Sequence, residues 1–300
     1  LDAPLSRCYN GAKSRKDSDM KTQLLIHPEE FAGSESGAPS RLCNRFGNTP
    51  GRGCPCARVH VRSAQPVKAT PEFRALPDEA AEAGLEIEYE LHAGSFLAPQ
   101  NLFEAHPDYY WEDENGQRST THNFCPSTAP MLELVVQNAA ALAKQLYRSS
   151  HNYYFGLDDT KRGNCHCAKC RGLSPSDQQL LVMNHILAGL RQYDPDAKIA
   201  YLAYFHCIQP PQAIKPATGI FLEYAPFEKD TAIAQEQPIG EKLDRLLTVF
   251  PREDAKILEY WYDNSLFSNW KKPPKRFVPD NARIRDDLAF CREKGMQYIS

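Results

Sequence analysis

From about residue 71 to its end, the chain alternates between two hydrophobic periods. Short apolar runs with strand character take turns with stretches whose apolar positions recur at helical spacing. Leu85–Leu91 reads LEIEYEL in strict alternation, Asn152–Leu157 reads NYYFGL, Lys198–Phe205 reads KIAYLAYF, Gly219–Tyr224 reads GIFLEY, Lys256–Tyr262 reads KILEYWY, and Gln297–Ser300 reads QYIS. Between them lie helical stretches over residues 71–84, 131–147, 174–193, 239–250 and 280–294. One is signalled by Ser174 as N-cap with Pro175 at the first helical position. Strands separated by helices at this spacing pair in parallel, so the expectation is an α/β fold, a (β/α)8 TIM-barrel-like domain spanning residues 71–300. Six strands can be read, so the rest of the barrel either comes from the first 70 residues or lies outside this chain; the second is favoured, and the barrel is expected to be incomplete in this chain.

The first 70 residues look different. Ser, Arg, Gly, Pro and Cys dominate, and Leu24-Leu25-Ile26 is the one apolar run. A segment with so little to bury does not offset its ordering entropy, so 1–70 is expected to be irregular or disordered. Cys43, Cys54, Cys56 and His60 match no tetrahedral ligand spacing and are not taken as a metal site.

Composition narrows the function classes. A chain of 300 residues with 42% hydrophobic content can bury one large core. Its formal net charge is -3 with acids and bases interspersed, so nothing points to nucleic acid or to an anionic membrane. No apolar run approaches a membrane span and no signal peptide is visible, which leaves the location of the protein undetermined. No strand is followed by a G-x-G-x-x-G or a G-x-x-x-x-G-K-[ST] loop, which counts against dinucleotide folds and P-loop nucleotidases.

Chemistry concentrates in Asn152–Cys170, NYYFGLDDTKRGNCHCAKC. Asp158 and Asp159 follow a buried-type strand, at the barrel edge where active-site loops converge. Further acids occur near strand ends at Glu223, Glu259 and Asp263, among the aromatics Tyr204, Tyr224, Tyr260, Trp261 and Tyr262; His92 and His206 also lie at strand ends. Paired carboxylates flanked by aromatic platforms suit glycosidic bond cleavage, with one acid protonating the leaving oxygen and a base or nucleophile opposite it. The expected catalytic set is Asp159 as general acid, Asp158 as its partner, and Glu223 or Glu259 opposing. The expected substrate-binding set is His92, Tyr204, His206, Tyr224, Trp261, Tyr262 and Asp263. A substrate-assisted route would instead use Asp158 to orient an acetamido group. Catalysis needs no cofactor on this reading.

Cys165, Cys167 and Cys170 form C-x-C-x-x-C, three ligands of the four that a structural zinc site requires. Cys125, His122 and Cys207 are the candidates for the fourth. Reduced cysteines in a tight turn, or a disulfide with one thiol left over, are the alternatives.

HPDYY from His106, NFCPS from Asn123, YFGLDD followed by CHCAKC, DPDAKIAYLAY, FLEYAPFEKD and ILEYWYD together resemble an uncharacterised bacterial family, a domain of unknown function of the TIM-barrel glycoside hydrolase superfamily. The resemblance covers roughly Glu86–Ser300. It implies a barrel, carbohydrate-active chemistry, a carbohydrate substrate, neighbouring α-glucuronidase-type N-terminal domains and a secreted or periplasmic location, but no assigned catalytic residues. Three functions stay open: a glycoside hydrolase on a polysaccharide or oligosaccharide, including one containing uronic acids; a barrel that binds glycans without cleaving them; and a metal-dependent hydrolase using the cysteines.

Overall fold

The structure is a computed structural model. It describes the backbone of residues 21–26, 56–60 and 86–87, and fully describes residues 88–120, 123–146, 150–160, 164–226, 239–261, 271, 278 and 280–299. Eight parallel strands close into a barrel in sequence order: β1 (Lys21–Ile26), β2 (Cys56–His60), β3 (Glu86–His92), β4 (Asn152–Gly156), β5 (Lys198–Ala203), β6 (Ile220–Tyr224), β7 (Lys256–Ile257) and β8 (Tyr298–Ile299), with β8 hydrogen-bonded back to β1.

The α/β barrel read from the alternation is therefore present, and all six expected strands occur. The other two, β1 and β2, come from the first 70 residues, of which the remainder lies outside the described residues. A closed sheet offers hydrogen-bond partners on both sides of every strand, so short segments of weak pattern are held by their neighbours. Among the described residues, the helix layer is incomplete. Among the described residues, β5 and β6 are joined by a loop with one 3-10 turn, Phe205–Cys207, where a full barrel would place a helix. The helical stretch read over residues 71–84 lies outside the described residues. The strand expected to run to Tyr262 is hydrogen-bonded as a strand over two residues, with one further bond from Leu258 N to Tyr224 O at 2.9 Å.

The helices are α1 (Gly94–Leu97, one turn), α2 (Ala129–Ala143), α3 (Pro175–Leu190), α4 (Ile239–Leu246) and α5 (Asn281–Glu293). The Ser174 cap forms as expected, its hydroxyl oxygen accepting from Asp177 N. Asp280 caps α5 in the same way through Ala282 N and Arg283 N. Helices α2 and α3 cross where Gly189 meets the Val136 carbonyl, so closely that a Cβ there would fall 2.3 Å from the oxygen.

Period-2 alternation sorts each strand's side chains into two cores. Tyr89, Leu91, Tyr153, Phe155, Ile199, Tyr201, Ile220, Leu222, Tyr224 and Ile257 pack outward in the main core shared with the helices. Tyr154, Ala200 and Phe221, which alternate with them, form a separate buried cluster inside the barrel. There the Lys256 ammonium lies 3.5 Å from Glu88 Oε1 and donates to the Tyr154 hydroxyl. It sits over the rings of Tyr154, Phe221 and Tyr298, 4.9, 5.2 and 5.2 Å from their centroids. Asn152 Nδ2 donates to the same Glu88 oxygen at 2.7 Å.

Both side chains of this ion pair are almost fully buried, so removing one charge strands the other. We expect Glu88→Ala to cost roughly 3–5 kcal/mol in denaturant unfolding, and the double variant Glu88→Met, Lys256→Met to cost less than either single charge deletion. A double variant worse than both single deletions would contradict the interior placement.

Candidate functional site

The C-terminal ends of the strands bring together groups far apart in sequence. Tyr260, half-buried in the chain leaving β7, lies within electrostatic reach of groups from four of these strands. Burial raises its phenol pKa strongly, and the nearby Tyr204, Glu90, Glu223 and Asp159 raise it further. The phenol thus stays protonated as a hydrogen-bond donor. Its four neighbours come from β3 (Glu90), the end of β4 (Asp159), the end of β5 (Tyr204) and β6 (Glu223). Asp159 is exposed, Glu90 and Tyr204 are half-buried, and Glu223 is buried at the floor of the group, beside Lys256 in the strand register.

The chain after β5 is bent to fit. Phe205 holds φ 44°, a left-handed conformation that bulky residues avoid, and its ring packs against Tyr204 with centroids 4.1 Å apart. His206 follows in that turn, within electrostatic reach of Asp159. Burial lowers the imidazole pKa while the Asp159 charge opposes the shift, so the ring favours its neutral form. Its Nδ1 is buried without a hydrogen-bond partner among the described residues.

Asp158 has a different setting from Asp159. Its backbone N–H donates to Asn123 Oδ1 at 2.8 Å, and Asn123 Nδ2 reaches its carbonyl oxygen at 3.4 Å. Its carboxylate lies over Gly94 in α1, where a Cβ would fall 2.7 Å from Asp158 Oδ1 and 2.9 Å from Asn123 Oδ1. Glycine is the residue that lets the two loops approach this closely.

The remaining expected residues divide. His92 is exposed at the end of β3, with Nδ1 3.0 Å from the Leu157 carbonyl. Tyr224 is corrected from sugar platform to core. It has the outward parity of β6, is fully buried, and donates its hydroxyl to the Ile239 carbonyl at 3.2 Å. Glu259 also has outward parity; its charge, after burial, raises the Tyr224 pKa. The charge of Glu259 thus acts on Tyr224, whereas those of Asp159 and Glu223 act on Tyr260. Trp261 packs against the main core and donates its indole N–H to Asp287 of α5 at 2.7 Å. Tyr262, Asp263 and His122 lie outside the described residues.

Cys165, Cys167 and Cys170 gather with Cys125, all four thiols free and buried. Each offers a sulfur within 4.8 Å of the other three. Cys207, another of the fourth-ligand candidates, is buried elsewhere. Glu90, Gly94 and Asn123 were not among the expected site residues. Glu90 lies in the strictly alternating LEIEYEL run, whose charged face reads as solvated in an open sheet but lines the interior of a closed one.

Two predictions follow from this geometry. Gly94→Ala should overpack against Asp158 and Asn123 and cost about 1–3 kcal/mol in denaturant unfolding; unchanged stability would contradict the close approach. For His206, the folded pKa lies below the unfolded value of about 6.5, so on acidification the unfolded chain takes up the proton first and stability falls with pH. His206→Gln should flatten that loss when the unfolding midpoint is followed downward from neutral pH. A steeper loss in the variant would refute the buried, neutral imidazole.

Residues 56–300 match the profile of a family described as a domain of unknown function, DUF4838. No curated protein matches the chain in sequence. Among solved structures, the fold is similar to a β-galactosidase from Rahnella sp. R3, at 13% identity and TM-score 0.56, covering 95% of this chain and 50% of that one. It is also similar to endo-glycoceramidase II from Rhodococcus sp., at 10% identity and TM-score 0.55, covering 93% and 72%. The chain thus spans about half the length of the Rahnella enzyme. At such identities the likeness is one of fold. Among the described residues, no helix is long and apolar enough to cross a membrane.

Proposed function

Because the chain belongs to the DUF4838 family, a domain of unknown function folded here as a closed parallel barrel, we propose that it is a glycoside hydrolase acting on an oligosaccharide or polysaccharide. The observation that carries this reading is that Asp159, Glu90 and Glu223, from three separate strands, all lie within electrostatic reach of one half-buried phenol, Tyr260, at the strand ends. Carboxylates from separate strands can approach a glycosidic bond from different sides, as its cleavage requires. The β-galactosidase and the endo-glycoceramidase share the fold, which raises the prior for carbohydrate chemistry by analogy.

In this reading Asp159 is the general acid. It is exposed, so an incoming leaving-group oxygen can reach it, and it must be protonated when it acts. Glu223 is the opposing carboxylate, set on the floor where positive charge develops at the anomeric carbon, with Glu90 reinforcing the negative potential there. Tyr260 and His206 supply neutral hydrogen-bonding groups for sugar hydroxyls. The unpartnered Nδ1 of His206 is the kind of buried polar atom that a ligand hydroxyl would satisfy. Asp158, fixed through its backbone by Asn123, positions the loop that carries Asp159.

The test is turnover on a panel of chromogenic glycosides. Asp159→Asn and Glu223→Gln should each reduce kcat by roughly two to four orders of magnitude with the fold intact by circular dichroism. Full activity in Asp159→Asn refutes the assignment. Oligosaccharide binding without turnover by the unmodified chain on any member of the panel would instead favour a glycan-binding barrel.

A further inference from the structure

We propose that Cys125, Cys165, Cys167 and Cys170 bind one zinc ion, and that the ion locks the loop after β3 to the loop after β4 so that Asn123 holds Asp158 in place. Four sulfurs at about 2.3 Å from a tetrahedral zinc lie about 3.8 Å apart. Cys125 Sγ lies 3.8 Å from Cys167 Sγ and 3.7 Å from Cys170 Sγ. All four sulfurs fall within 4.8 Å of one another, so a small contraction closes the polyhedron.

The surroundings suit thiolates. Glu112 N–H donates to Cys165 Sγ at 3.4 Å, and the Ser127 hydroxyl lies 3.0 Å from Cys170 Sγ, where it can donate once that thiol is deprotonated. Binding releases four protons and leaves a zinc tetrathiolate of net charge −2. The Arg118 guanidinium, within electrostatic reach of Cys125, Cys165 and Cys167, offsets part of that charge. The ligand backbone is held separately. The buried Gln178 of α3 accepts from Cys165 N at 2.8 Å and donates to the carbonyls of Cys165, Cys170 and Leu173 at 3.0, 3.2 and 3.3 Å. Such outer support fixes ligand orientation.

Four buried sulfurs leave no open coordination position, so the site is structural and does not supply a metal-bound nucleophile. Its consequence reaches the barrel edge through sequence proximity. Cys125 stands two residues from Asn123, whose side chain brackets the Asp158 peptide, and the other three ligands follow Asp158 on the next loop. One ion thereby ties together both sides of the Asn123–Asp158 contact. This inference does not depend on the reaction the barrel catalyses.

The experiment begins with elemental analysis of the chain purified under reducing conditions without added metal. One zinc per chain is expected, replaceable by cobalt with the thiolate-to-metal absorption of a four-sulfur site. Cys125→Ser should lose the stoichiometric metal, and Cys207→Ser should keep it. Should Cys125→Ser fail to fold, chelation of the unmodified chain gives the same answer: four thiols become reactive, and amide exchange in the peptide containing Asp158 rises about tenfold or more while β5 stays protected. Absence of bound metal, or disulfides linking these cysteines in the native chain, overturns the zinc site. Metal removal that leaves Asp158 exchange unchanged overturns the coupling.

Discussion

The ammonium of Lys256, inside the barrel, is the point on which the arrangement depends. A charge buried there demands a carboxylate, and Glu88 supplies it from across the barrel. It also favours aromatic faces, and Tyr154, Phe221 and Tyr298 supply those. A core filled this way fixes the inward parity of β3, β4, β6, β7 and β8, and a shift of one residue in any of them would place its polar face among the helices. Glu90 stands two residues beyond Glu88, and Tyr260 four beyond Lys256. The chemistry at the barrel's edge continues the polar stripe that the interior ion pair sets in register.

That parity separates acids that look equivalent in the sequence. Glu223 and Glu259 both sit near the end of an aromatic-rich strand, yet Glu223 has the parity of Phe221 and Glu259 that of Ile257. The charge of one acts on Tyr260; that of the other acts on Tyr224, whose hydroxyl is engaged with the start of α4. Asp158 and Asp159 divide likewise as neighbours. One is enclosed over Gly94 and tied to Asn123, and the other is left exposed toward His206.

Much of this was legible in the residues. Alternating apolar runs identified six strands, Ser174-Pro175 marked a helix start, and Asp158 and Asp159 follow the end of β4 as the YYFGL run implied. What escaped depends on closure and on distance. KTQLLI and CARVH are too short and too poorly flanked to read as strands until neighbours on both sides hold them. Glu90 reads as solvent-facing in LEIEYEL because alternation does not reveal whether the polar face meets water or the inside of a barrel. Cys125 stands 45 residues before Cys170, and only the fold brings its sulfur, and not that of Cys207, to the other three.

Whether the groups around Tyr260 form a sugar-binding catalytic centre decides the function. The most direct measurement is a crystal structure of the chain with a protonated iminosugar, whose ring ammonium mimics the charge that develops during glycosidic cleavage. The ammonium is expected within hydrogen-bond reach of Glu223, with the exposed Asp159 carboxylate at the aglycone side and a ring hydroxyl on His206 Nδ1. A ring bound away from Tyr260, or one whose ammonium meets neither carboxylate, would contradict it.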